Sequence, residues 1–120
     1  MAEKKKRKAA KKKRNERHYH VYVIEMDPTV LGEKRFVAKN PDHQPDKACL
    51  YVGMTGLTPE QRFAQHKEGY KSCKYPRNYG KWLRKRLYEK LNPMTYEEAC
   101  AKEISLAGEL RKRGFAVWQA

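Results

Sequence analysis

The run ACLYVGMTGLTPEQRFAQHKEG, residues 48–69, constrains this chain most, because an apolar alternating segment passes within a few residues into a helix marked at both ends. Residues 48–54 have the period of a strand, with Leu50 and Val52 expected to face a core and Tyr51 and Gly53 to lie on the opposite face. Thr58 supplies an N-cap oxygen, Pro59 suits the first helical position, and Gln61 completes a capping box. Gly69 is the expected stop.

The other elements follow from the same signals. HYHVYVIEM (18–26) alternates as a strand and ends at Asp27-Pro28. KRFVA (34–38) reads as a short second strand, and NPDHQPDK (40–47) as a loop. NYGKWLRKRLYEKL (78–91) reads as a helix with Trp82, Leu83, Arg86 and Leu87 on its inner face, broken by Asn92-Pro93. A third helix opens at Thr95, with Glu98 completing a second capping box, and closes at Gly114. FAVWQ (115–119) is a final strand. The expected class is α+β, a small and mostly antiparallel sheet with about three helices against it.

Charge divides the chain. Residues 1–17 hold ten Lys/Arg and two Glu with almost nothing apolar, so they are expected to form a disordered basic tail before a domain at 18–120. The formal net charge is +14, of which the tail carries +8. Such a field selects polyanions, and clustered Lys/Arg gain from counterion release on nucleic acid. The same composition would serve as a nuclear-import signal or a solubilising arm. A membrane role is disfavoured, since there is no apolar run of about 20 residues and the tail lacks aromatic or leucine anchors. Cys49, Cys73 and Cys100 are odd in number and lack CxxC spacing, which argues against a disulfide framework or zinc knuckle and for an intracellular setting.

One residue is out of place. In the third helix, the neighbours of Glu103 at three and four positions are Ala99, Cys100, Leu106 and Ala107. A carboxylate on that inward stripe costs several kcal/mol if unpaired. It should meet an arginine or a metal ion, or sit at the edge of the stripe.

Together these residues resemble the GIY-YIG nuclease superfamily over roughly 18–119. The resemblance rests on His20-Val21-Tyr22, then Tyr51-Val52-Gly53, then Arg62 and His66 on the next helix and Glu103 on the last. It implies a three-stranded sheet flanked by helices, with the site on the sheet surface. His20 stands where the family name has Gly, and residues 25–47 exceed the compact family hairpin, making them a candidate specificity loop. Gln119 is the last polar residue available for the family's C-terminal polar position.

The resemblance implies a divalent-metal-dependent endonuclease that nicks or cleaves DNA, with Tyr22, Tyr51, Arg62, His66 and Glu103 as its catalytic set. Glu103 would hold a lone Mg²⁺ or Mn²⁺, and Arg62 would offer a permanently charged fork to the scissile phosphate. Tyr22 would be base for the attacking water with His66 relaying its proton, and Tyr51 would position water or phosphate. Gly53 is expected to admit the substrate backbone closely, and Tyr79, Lys81, Arg84 and Lys85 to line a nucleic-acid groove, because aromatics among basic residues stack and neutralise together. The partner would be DNA, bound by a monomer or weak dimer. The rival reading is a catalytically silent nucleic-acid-binding module, RNA-associated or not.

Overall fold

A computed structural model of the protein describes residues 15–120. The expected tail therefore lies outside the described residues except at 15–17, where Arg17 pairs with Glu98 at 3.4 Å.

Four strands form one sheet, and helices cover it. Strand β1 spans His20–Met26, β2 Cys49–Thr55, β3 Gly80–Leu83 and β4 Ala116–Gln119, in the spatial order β3-β1-β2-β4. Helix α1 spans Lys34–Ala38, α2 Pro59–Glu68, α3 Lys74–Tyr79 and α4 Tyr96–Lys112. β1 pairs antiparallel with β2 and β3, whereas β4 pairs parallel with β2, so the sheet is mixed. The resemblance implies three strands; the fourth is β3. Among the described residues, no helix is long and apolar enough to cross a membrane.

Both caps read from the sequence are present. The Thr58–Gln61 and Thr95–Glu98 boxes are each reciprocal, and Gly69 and Gly114 take φ of +85° and +94° where the helices end.

Two segments depart from the sequence reading. Residues 34–38 are helical rather than extended. β1 already has neighbours on both sides, so no place beside it remains for another strand. One helical turn instead buries Phe36 against Tyr75, with ring centroids 5.8 Å apart. Residues 78–91 do not form one helix. They finish α3, supply β3, and continue through 3₁₀ turns at Lys85–Leu87 and Glu89–Leu91. The outer edge of β1 carries backbone groups that require partners, and β3 meets them by pairing Ile24 with Leu83 and Glu25 with Trp82. Trp82, expected inside, is 48% exposed.

Both faces of the sheet are covered, so Tyr51 and Gly53 are as buried as Leu50 and Val52. α4 lies over the Val21/Met54 face, where Cys100 meets Met54 at 3.5 Å. α2 lies over the Tyr22/Tyr51 face. The 25–47 segment seals the free edge of β4. There the buried Asn40 accepts from the backbone N–H of Val117 at 2.7 Å and donates to its carbonyl at 3.1 Å. Arg111 reinforces the same carbonyl at 3.0 Å.

Candidate active site

The register of β1 and β2 pairs Tyr22 with Gly53 and Ile24 with Tyr51, which sets both tyrosines on one face. A Cβ at Gly53 would lie 2.5 Å from the Tyr22 hydroxyl and 2.6 Å from its Cζ. Gly53 is thus buried beneath the phenol and makes room for it. This differs from the close substrate approach expected at that position.

His66 completes the cluster from α2. Its imidazole is buried and lies 5.9 Å from the Tyr22 ring and 5.3 Å from the Tyr51 ring, centroid to centroid. Nε2 is 2.8 Å from the Tyr22 hydroxyl and Nδ1 is 2.6 Å from Oγ of Ser72. Ser72 donates its only proton to the Cys73 carbonyl at 2.8 Å. Its oxygen therefore accepts from His66, which assigns the proton to Nδ1 and leaves Nε2 to accept from Tyr22. Burial, assisted by the Arg62 charge, pulls the His66 pKa from 6.5 down to about 4, so the ring is neutral near pH 7.

Arg62 stands one helical turn before His66. Its Nη1 donates to Gln65 at 3.0 Å and to the Tyr70 carbonyl at 3.1 Å, and Nη2 donates to the Lys71 carbonyl at 2.9 Å. The loop after Gly69 thus holds the guanidinium in one orientation. Lys71, at φ +43°, is the non-glycine residue with left-handed backbone in that loop. Burial raises the Tyr22 pKa well above the ordinary phenol range, and the Arg62 charge opposes that rise. Burial raises Tyr51 as well, and the neighbouring Tyr22 adds to it.

Glu103 projects from α4. It is 8% exposed, and no ion pair forms to it among the described residues. Its Oε1 accepts from Nε2 of Gln119 at 3.1 Å, the polar residue near the chain end that the sequence had singled out. Burial raises its pKa and the Gln119 bond opposes this. Its charge disfavours ionisation of both Tyr22 and Tyr51.

The carboxylate fits a divalent cation on chemical grounds. It is a hard oxygen donor, held by an amide and, among the described residues, without an ion-pair partner. Among the described residues, no cluster of three or more His, Cys, Asp or Glu is arranged to hold a metal, so Glu103 would be a sole side-chain ligand of this kind.

The groove residues are arranged differently from the helix face expected of them. Tyr79 donates to Glu33 at 3.2 Å, Lys81 pairs with Asp27 at 3.5 Å, Arg84 with Glu25 at 2.6 Å and Lys85 with Glu60 at 3.6 Å. They lie along the β3 edge, each matched to an acid. Ser72 was not anticipated, because a serine three positions beyond a helix-ending glycine looks like ordinary turn chemistry.

The family model of the GIY-YIG catalytic domain matches residues 18–115. No curated protein and no solved structure matches the chain. The matched span includes the strands and helices that carry Tyr22, Tyr51, Arg62, His66 and Glu103, and the chain belongs to the GIY-YIG nuclease superfamily.

Proposed function

We propose that the protein is a divalent-metal-dependent endonuclease that hydrolyses phosphodiester bonds in DNA. The observation that carries this reading is the directed chain Tyr22–His66–Ser72, with Arg62 and Glu103 acting on the same phenols. A tyrosine with a raised pKa is a poor base alone. With its proton already pointed at a neutral imidazole, it can accept one from water as it surrenders its own.

In the proposed reaction, an attacking water gives a proton to the Tyr22 oxygen while the Tyr22 proton passes to Nε2 of His66. The water oxygen forms a bond to phosphorus, the bond from phosphorus to the leaving 3′ oxygen breaks, and that oxygen takes a proton from solvent water to become the 3′ hydroxyl. His66 holds the transferred proton, and its Nδ1–H stays anchored on Ser72. Arg62 neutralises the phosphate, its orientation fixed beforehand by the Tyr70 and Lys71 carbonyls. Tyr51 holds water or phosphate beside Tyr22. Glu103 would hold Mg²⁺ or Mn²⁺, which when bound supplies further charge neutralisation at the phosphate and leaving oxygen.

The test is plasmid nicking with and without Mg²⁺. The wild type should nick only with the metal, and Glu103→Ala and Arg62→Ala should each lose about a hundredfold or more in rate. Near-normal nicking by a folded Glu103→Ala protein would remove the metal-ligand role. DNA binding by the wild type without any cleavage would leave a binding module.

A further inference from the structure

Two buried side-chain polar atoms among the described residues lack a hydrogen-bond partner: Nδ1 of His20 and the hydroxyl of Tyr88. Both residues line the same recess of about 350 Å³, between the start of β1, the N-terminus of α2 and the turn before Asn92-Pro93. Tyr88 is 3% exposed and lines the recess, and its hydroxyl makes no hydrogen bond to the described residues. Buried polar groups are almost always satisfied, and two orphans sharing one cavity point to something that enters it.

The lining defines the chemistry of that occupant. Pro59 and Pro93 supply apolar walls, and Glu60 and Glu89 bring carboxylates to the rim. Both line the recess together with Tyr88. Two carboxylates repel phosphate and carboxylate ligands. The residues are not arranged as a metal cluster either. What fits is a flat neutral ring with an amino donor for a carboxylate and ring atoms for the imidazole and phenol. The volume is at the lower end of the small-ligand range.

The position ties this recess to the reaction. His20 precedes Tyr22 by two residues on β1 and so shares its face, about 7 Å along the strand. Pro59 precedes Arg62 by roughly one turn of α2. Lys85, at the mouth, is available to a flanking phosphate when it leaves Glu60. We propose that this recess receives an unpaired nucleobase next to the scissile phosphate, and that it prefers amino-bearing bases (cytosine, adenine or guanine) over thymine. A carboxylate accepts from the cytosine amino group, whereas thymine offers only an acceptor at the corresponding position. The proposal rests on the nuclease reading for its substrate but is measured without cleavage.

The test is binding of the full chain to short single-stranded oligo-dC, oligo-dA and oligo-dT in EDTA, followed by fluorescence anisotropy. Oligo-dC and oligo-dA should bind more tightly than oligo-dT, and Tyr88→Phe should weaken them about tenfold while hardly moving oligo-dT. Glu60→Gln, on an exposed rim position, should flatten the preference, because an amide can donate to thymine. Thermal melts check that both variants fold. Equal affinity for all three oligonucleotides, or a Tyr88→Phe profile identical to wild type, overturns the proposal. Binding of dCMP alone as tight as oligo-dC would also overturn it in favour of a free nucleotide. A base preference in a protein that never nicks would sink the nuclease reading and leave the pocket standing.

Discussion

The Tyr22 hydroxyl donates to Nε2 of His66 across 2.8 Å, from a strand and a helix 44 residues apart in sequence. The direction of that bond is set on the far side of the ring, where Ser72 can only accept. A neutral imidazole with a defined tautomer is thereby built into the fold. Tyr22→Phe keeps the ring and removes the proton path. It should leave the protein folded and lower nicking by about a hundredfold to ten-thousandfold. Single-turnover cleavage beside circular dichroism tests this; a folded variant with undiminished turnover would exclude Tyr22 as the base.

The depressed His66 pKa has a thermodynamic signature. Between about 4 and 6.5 the unfolded chain binds a proton at His66 that the folded chain does not. Stability is therefore complete above the unfolded pKa and falls as pH drops toward the folded one, by about 3 kcal/mol at most. Glu103, whose pKa is raised, contributes with the opposite sign. Urea midpoints of wild type and His66→Gln at pH 4.5 and 7 separate the two, and the variant should lose the His66 share of the slope. Parallel slopes in both proteins would mean His66 titrates normally.

Gly53→Ala should disable the site through geometry alone. The new methyl would occupy space held by the Tyr22 hydroxyl and Cζ, which are pinned between strand and helix. We expect a stability loss of about 1–3 kcal/mol and a cleavage defect comparable to that of Tyr22→Phe. Full activity in Gly53→Ala would show that the phenol has freedom that the packing denies it.

Glu103→Gln removes a buried charge and keeps the shape. In EDTA its melting temperature should equal or exceed that of wild type, because burial penalises the carboxylate. Added Mg²⁺ should raise the wild-type melting temperature by linkage and leave the variant unmoved. An equal Mg²⁺ shift in both proteins would place the metal elsewhere.

Deleting residues 1–17, with their ten basic side chains, should weaken DNA binding about equally across sequences. The log–log salt slope should shrink by about 0.9 for each phosphate that the tail no longer neutralises. Turnover at saturating DNA should hardly change, since the five candidate residues lie in 18–120. An unchanged salt slope would make this segment a solubility or targeting element.

What could be read in the sequence was whatever depends on neighbours along the chain. The helix limits at Thr58, Gly69, Thr95 and Gly114 were legible because caps are local chemistry, satisfied within one turn. Glu103 was legible as an anomaly because helical spacing alone put it on an apolar stripe. KRFVA and the 78–91 segment were misread because their conformations answer to distant partners. Phe36 needed a pocket beside Tyr75, and the edge of β1 needed a strand. Local propensity contains neither demand. Only the tertiary structure decided that Gly53 exists for the Tyr22 ring, that Ser72 orients His66 and that Gln119 holds Glu103. Each of these pairs joins separate elements. Their distances follow from strand register and helix packing, which the chain settles only once its core is closed.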